Sequence, residues 1–166
     1  MPPDRPEFSR PLVLALVGPE GRREVLEASE AERAALARRF GIPAIARLRA
    51  ELSLRPEPDG AVRAEGRLEA EVTQDCVVTL EPVEQRVEEP VSLRLLPPGE
   101  EPDEGPEEAD EIPTEGGIAD LGEAIAEQLA LALDPYPRAP GAELPDGAAG
   151  EGALGPFAAL RRLRRD

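Results

Sequence analysis

The chain has 166 residues, of which 33% are charged, and its formal net charge is −16. This length is enough for one domain with a hydrophobic core but short for two, and the absence of histidine excludes catalytic triads and metal sites that need an imidazole. The negative charge repels phosphate backbones, so nucleic-acid binding would need a local basic cluster, whereas basic proteins are favourable partners.

The N-terminal segment, MPPDRPEFSRP, lacks the basic and apolar regions of a signal peptide. Further along the chain, no apolar run reaches the roughly 18 residues that a membrane-spanning helix needs. The sequence has a single cysteine, so no intramolecular disulfide can form. We therefore expect a cytoplasmic protein with no membrane contact.

The first predicted elements are two strands and a helix. The apolar run 12–17 predicts a buried strand, and residues 22–26 are expected to pair back onto it. Ser29 and Glu32 form an S-x-x-E capping box, in which each of the two side chains accepts a hydrogen bond from the backbone N–H of the other residue. A helix is therefore predicted from this point, and Gly41 predicts its end as a left-handed cap.

Two long alternations of apolar and polar residues predict a β-hairpin. Every second residue is apolar in 46–55 and again in 62–72, which is the period of a half-buried strand. Gly66, inside the second alternation, is interpreted as a bulge or bend rather than a point of ligand approach. A further strand is predicted at 83–95, and Pro90 favours an edge position because proline cannot donate to a ladder.

The second half of the chain has an acidic segment, one clear helix and a tail. Residues 97–117 contain no basic residue and predict a disordered acidic loop, either a solvated linker or a docking segment for an arginine- or lysine-rich partner. Asp120 begins a helix with apolar residues at helical spacing up to Leu133, ending before Pro135. Residues 141–166 are predicted to form a flexible linker and an arginine-rich tail.

These elements predict an α+β fold. The sheet is expected to be antiparallel with about five strands, and the two helices are expected to pack against it. A long acidic loop and a flexible C-terminal tail complete the arrangement. Residues 1–140 are predicted to form one domain that contains the loop 97–117, and residues 141–166 are predicted to lie outside it.

The residues that carry chemistry are few. Cys76 stands where a C-x-x-C pair would begin, but Thr79 occupies the second position, so thiolates and imidazoles cannot complete a zinc site. A structural role is the expectation for Cys76, since free cysteine usually packs as a small apolar residue. No phosphate-binding glycine motif is present. We therefore predict neither a metal nor a cofactor.

Two blocks and a terminal segment carry a family resemblance. The blocks are QDCVVTLEPV at 74–83 and DLGEAIAEQL with LALDPYP at 120–137, and the segment is PFAAL at 156–160. Together they resemble the bacterial YceD family of large ribosomal RNA subunit accumulation proteins. The matching residues taken as candidates for interaction are Asp75, Cys76, Thr79, Leu80, Glu81, Pro82, Asp120, Leu121, Glu127, Leu131, Pro135, Pro137 and Phe157.

The resemblance implies a cytoplasmic, non-enzymatic factor needed for accumulation or processing of large-subunit ribosomal RNA. The expected partner is a precursor large subunit, a basic ribosomal protein or ribosomal RNA, with a groove beside the Asp120 helix as the expected contact. Aromatic platforms for stacking RNA bases are scarce, because the chain has three Phe and one Tyr. Two alternatives stay open: a carboxylate- or metal-dependent RNA hydrolase using Asp75, Glu81 and Asp120, and a small adaptor for a metabolic enzyme.

Overall fold

A computed structural model describes residues 5–103, 105 and 109–143 of the chain. Within these residues the chain forms a five-stranded sheet, a two-stranded sheet and two α-helices, which confirms the α+β prediction. The predictions for the tail 144–166, including Phe157, lie outside the described residues. The elements in chain order are β1 (Pro11–Val13), a 3-10 turn (Leu14–Leu16), β2 (Arg22–Glu27), α1 (Glu30–Phe40), β3 (Ala44–Pro56), β4 (Val62–Asp75), β5 (Pro82–Leu95), β6 (Asp110–Ile112), β7 (Ile118–Asp120) and α2 (Leu121–Ala132).

The five-stranded sheet is mixed, not purely antiparallel as predicted. Its strand order is β2-β3-β4-β5-β6, and the first three pairings are antiparallel. The last pairing is parallel, because the acidic segment crosses back and lays β6 beside residues 93–95 of β5. The rest of β5 has no partner on that side within the described residues, so Pro90 does lie at an edge.

The predicted hairpin forms the centre of the sheet as β3 and β4. Their alternation places large side chains in the core, and Leu48, Leu54 and Leu68 are fully buried. One detail differs from the expectation: a register shift between Ile45 and Arg47 turns Ile45 into the core and leaves Ala46 exposed. The bulge therefore interrupts the strict period of two that the sequence shows at this end of β3.

Gly66 allows β3 and β4 to approach each other closely and is not a bulge. It pairs with Leu52 on one side and Val91 on the other without a shift of register. A Cβ atom at this position would lie 1.8 Å from the backbone oxygen of Glu51. Only glycine fits this point in the central strand.

The N-terminal strand prediction is wrong in its length and its partner. The run 12–17 divides into β1 and the 3-10 turn, because only part of it faces the core: Leu12 and Leu14 are buried while Leu16 is 71% exposed. β1 pairs with β7 in a separate two-stranded sheet. β2 consequently pairs with β3 instead of folding back onto β1.

Both helices begin at the predicted caps. Ser29 accepts a hydrogen bond from the Glu32 N–H, and Glu32 accepts one from the Ser29 N–H, so the capping box is confirmed. α1 ends at Gly41, which has a φ of 66°. α2 begins at Asp120 and buries an apolar stripe against β4 and β5. Neither helix has the length and apolar character needed to cross a bilayer within the described part of the chain.

The acidic segment 97–117 contains a strand that its composition did not predict. The Leu96 N–H donates to the Ile112 oxygen over 2.9 Å, and the Thr114 hydroxyl donates to the Leu96 oxygen over 2.8 Å. Ala109 is buried. The second half of the segment therefore packs against the domain and forms one wall of the groove described next.

Candidate binding groove and the Cys76 turn

A surface groove runs along the exposed side of α2. Its first cleft has a volume of about 450 Å³ and lies between the N-terminal half of α2, β1, β7 and the turn before β7. Its lining combines apolar residues, here called the floor, with acidic ones. The apolar lining residues are Pro11, Ile112, Pro113, Ile118 and Ala124, and the acidic ones are Glu115, Asp120, Glu123 and Glu127.

A second cleft of about 390 Å³ continues the groove toward the end of α2. It shares Ile112 and Glu127 with the first cleft and adds Leu131, whose side chain is 80% exposed. Its acidic lining residues are Asp103, Asp110, Glu111 and Glu127. Within the described residues neither cleft is lined by a basic side chain. We call the two clefts together the α2 groove.

The carboxylates of the first cleft fall into two groups. Glu123 forms two hydrogen bonds with the Arg39 guanidinium, at 2.7 and 2.9 Å, and is already neutralised. Glu115 and Glu127 form no ion pair within the described residues. These two carboxylates are therefore free to bind a cation above an apolar floor, where Ile118 is 46% exposed.

Asp120 holds the N-terminal segment against the start of α2. Its Oδ2 accepts from the Ser9 hydroxyl over 2.5 Å, and its Oδ1 accepts from the backbone N–H of Arg10 over 2.7 Å. The same Oδ1 caps the helix by accepting from the N–H groups of Gly122 and Glu123, at 3.0 and 3.2 Å. Four donors of the fold converge on the Asp120 carboxylate, so its main role is to position the groove wall.

Two neighbours tighten this junction. The backbone oxygen of Phe8 would lie 2.4 Å from a Cβ at position 122, so glycine is required for the segment to lie on α2. Arg10 also pairs with Glu32 of the first capping box over 2.7 Å. The hydrogen bond from Arg10 is the largest of the causes that lower the pKa of Glu32 to about 2, and the Ser29 N–H adds to it. The starts of both helices are thus joined through one segment.

The Cys76 sulfur is buried in a tight turn between β4 and β5 and is surrounded by donors. The Ala139 and Thr79 N–H groups donate to it over 3.2 and 3.5 Å. The Thr79 hydroxyl is the largest of the causes that lower the pKa of the Cys76 thiol to about 7, followed by the Ala139 N–H. The same hydroxyl donates to a Glu81 oxygen over 3.3 Å.

The turn also fastens the segment that follows α2. The Val77 N–H donates to the Pro137 oxygen, and the Gln74 side chain donates to the Asp134 oxygen, both over 2.9 Å. Leu80 closes the turn with a positive φ of 60°, which is rare outside glycine, and its side chain is 76% exposed. The turn is therefore a structural clasp between the sheet and the end of α2.

A comparison with known proteins identifies the family. A family model described as large ribosomal RNA subunit accumulation protein YceD matches residues 64–163, more than half of the chain. The chain belongs to the YceD family. Membership implies a role in the accumulation of large-subunit ribosomal RNA and an association with large-subunit biogenesis. No match was found among curated proteins or among solved structures.

The candidate residues drawn from the YceD resemblance lie at two separate places. Asp75, Cys76, Thr79, Leu80, Glu81 and Pro82 belong to the Cys76 turn, which Pro137 contacts, with Pro135 in the adjoining segment. Asp120, Leu121, Glu127 and Leu131 belong to α2, where Glu127 and Leu131 line the groove and Leu121 is buried. Asp120 at the start of α2 is the more distant from the turn, because the 12 residues of the helix are about 18 Å long and the turn adjoins its other end.

The carboxylates proposed for an RNA hydrolase are therefore not brought together. Asp75 and Glu81 lie at the turn beyond the end of α2, whereas Asp120 caps its start. Within the described residues, no group of three or more Cys, Asp and Glu side chains is arranged to hold a metal ion. A two-carboxylate or metal-assisted mechanism needs convergent groups, and this set of three does not provide them.

Several groove residues were missed at the level of sequence. Glu115 and Ile118 lie at the end of the acidic segment, and Pro11 comes from the opposite end of the chain. No local pattern marks them, because they become neighbours only when β1 pairs with β7. The composition of 97–117 indicated an acidic segment, but not that part of this segment lines a groove with apolar residues.

Replacing Thr79 with valine should raise the pKa of Cys76 from about 7 toward its ordinary 9.0. The pKa should rise only part of the way, because the backbone N–H groups that donate to the sulfur remain. Since the fold lowers this pKa, the stabilisation from the thiolate is complete above the unfolded value and is lost as pH falls through the folded value. The carbon chemical shift of Cys76 Cβ, followed against pH, measures the change.

The matched control is Thr114→Val, which removes a hydroxyl bound to the Leu96 oxygen far from the turn. It should leave the Cys76 titration unchanged. If Thr79→Val titrates like the unmodified protein, the hydroxyl is not the main donor to the sulfur.

Proposed function

We propose that this member of the YceD family supports accumulation and processing of large-subunit ribosomal RNA by binding, without catalysing a reaction. It would act in the cytoplasm on a precursor large subunit, through a basic ribosomal protein. The observation that supports this most is the α2 groove, where Glu115 and Glu127 lie beside apolar side chains and have no ion pair with any described residue. Such a surface suits a segment that alternates arginine or lysine with apolar residues.

A basic protein is favoured over RNA as the direct partner. The groove is lined by carboxylates, and the net charge of the chain is −16, so phosphates are repelled. Arginines on the sheet are largely paired: Arg94, for example, binds Glu57 and Glu111, both over 2.8 Å. Direct RNA contact is left to the arginine cluster at 161–165, outside the described residues.

Neutralising the two unpaired carboxylates tests the proposal. Glu115→Gln with Glu127→Gln should weaken binding of purified basic ribosomal proteins about tenfold, or about 1.4 kcal/mol, because two partly exposed ion pairs are lost. The Kd is measured by calorimetry at two salt concentrations, and the double variant should show a smaller salt dependence.

The control is Glu20→Gln with Glu65→Gln, which removes the same charge elsewhere. Glu20 lies in the turn before β2, and Glu65 is exposed on the face of β4 away from α2. The Kd of this control should stay within about twofold of that of the unmodified protein, since the two changes alter only the net charge. Equal weakening in both double variants would mean that general charge, not the groove, holds the partner.

The alternatives predict different results. Recovery of the native protein with its bound RNA and proteins separates a precursor subunit from a metabolic enzyme as partner. Cleavage of precursor RNA by the pure protein, abolished by Asp120→Asn, would replace the binding proposal with a hydrolase. Substitution is preferable to deletion of 97–117, because deletion would also remove β6 and its contacts with β5.

A further inference from the structure

We propose that the α2 groove is occupied in the free protein by the arginine-rich tail of the same chain, residues 156–165, which a basic partner then displaces. This inference rests on the proposed function, because it assigns regulation to the same groove. Three features favour the tail as the occupant: charge complementarity, apolar complementarity and the length of chain that joins the tail to the domain.

The tail has the two properties that the groove requires. Its sequence, PFAALRRLRR, combines the apolar residues Phe157, Leu160 and Leu163 with four arginines. The groove offers the exposed side chains of Ile118 and Leu131 together with Glu115 and Glu127, which have no ion pair with any described residue. Arginine forms bidentate pairs with carboxylates, and its stem packs on apolar surface. The groove therefore offers complementary groups to both the apolar and the basic residues of the tail.

Other acidic residues of the described surface are less suitable. Glu51 is flanked by Arg23 and Arg49, and both pair with it. Glu57 binds Arg63 and Arg94, each over 2.8 Å. A basic tail approaching the sheet would meet these arginines, whereas neither cleft of the α2 groove is lined by a basic side chain of the described residues.

The connecting chain is long enough to reach. Ala139 is fixed beside the Cys76 turn through its N–H bond to the sulfur, 3.2 Å long, so the chain leaves the domain near the end of α2. From there the groove extends back along α2 for about 18 Å. Residues 144–155 can span up to about 40 Å when fully extended, which is ample. Such a short tether gives an effective concentration of about 1 mM.

This concentration sets the expected effect on a partner. If the tail alone binds the groove with a Kd of about 0.1 mM, tethering fills the groove about nine-tenths of the time. A competing basic segment would then bind about tenfold more weakly to the full chain than to a chain whose tail cannot compete.

The experiment uses the full chain and a variant in which Arg161, Arg162, Arg164 and Arg165 are all serine. The five isoleucines of the sequence give a simple methyl spectrum. Ile112 and Ile118 line the groove, whereas Ile42 and Ile45 lie beside α1 and serve as internal controls. The methyl signals of Ile112 and Ile118 should differ between the two proteins, and those of Ile42 and Ile45 should not.

A second measurement adds a synthetic peptide of residues 153–166 in trans. The peptide should bind the serine variant about tenfold more tightly than the unmodified chain. Adding Glu115→Gln with Glu127→Gln should weaken peptide binding to both of these proteins. Identical isoleucine spectra with equal peptide affinities would overturn the proposal. Shifts that grow with protein concentration would also overturn it, in favour of a tail bound by a second copy.

The outcomes separate this inference from the proposed function. If the peptide binds neither protein while basic ribosomal proteins still depend on Glu115 and Glu127, the tail is not the occupant and the proposed function stands. If the tail shifts Ile118 but no ribosomal protein binds either chain, the tail contact stands and the proposed function fails.

Discussion

Replacing Gly66 with alanine should lower the free energy of unfolding by about 3 kcal/mol or more, at the upper end for overpacked sites. The added Cβ would lie 1.8 Å from the Glu51 oxygen and 3.0 Å from the Leu52 Cα. These are backbone atoms, which cannot rotate away, so β3 and β4 would have to separate where they pair. Denaturant unfolding measures the loss as a lower midpoint at an unchanged slope.

Gly18→Ala is the matched control. Its Cβ would approach only the end of the Glu20 side chain, at 3.3 Å, and that carboxylate can turn aside. We expect a change within about 0.5 kcal/mol, as for most surface substitutions. If Gly66→Ala is equally mild, β3 and β4 do not approach each other as closely as the structure shows.

Elements stabilised by neighbouring residues could be predicted from the sequence. The capping box of Ser29 and Glu32, the left-handed end at Gly41 and the cap at Asp120 all involve contacts within four residues. The alternation of β3 and β4 predicted their faces for the same reason, because a period of two is a local property. One departure was the bulge after Ile45, which has no marker in composition.

Elements that depend on distant contacts could not be predicted. β1 and β7 are three residues each and pair Leu12 with Ala119 across most of the chain. β6, with the sequence DEI, has no alternation and is placed by its parallel pairing with β5 and by contacts such as the Arg94–Glu111 ion pair. Pairing between distant segments depends on the whole fold, and composition correctly indicated only that 97–117 is acidic.

The candidate site shows the same division. The Asp120 block was recognised as a helix start, but its contacts with Ser9 and Arg10 span 111 and 110 residues. Glu127 and Leu131 were named from the family resemblance and do line the groove, whereas Glu115 and Ile118 required the structure. A groove between three elements is defined by their packing, and the sequence of one element specifies only one wall.

Replacing Asp120 with alanine should lower the free energy of unfolding by about 2–4 kcal/mol. The change removes a helix cap, worth about 1 kcal/mol, and two further hydrogen bonds to a charged group, from the Ser9 hydroxyl and the Arg10 N–H. Because this segment lies beside Pro11 in the groove wall, hydrogen exchange should accelerate at 8–13 and at 118–124. Binding of basic proteins should weaken with it.

Two controls separate the cap from the junction. Asp120→Asn keeps an oxygen that can accept the backbone N–H groups, so it should lose less than half as much stability as alanine. Asp134→Ala removes a carboxylate that accepts only the Tyr136 N–H within the described residues, and it should cost about 1 kcal/mol or less. If Asp120→Ala accelerates exchange at the start of α2 but not at 8–13, Asp120 caps the helix without holding the N-terminal segment, and the groove wall owes its position to β1 and β7 alone.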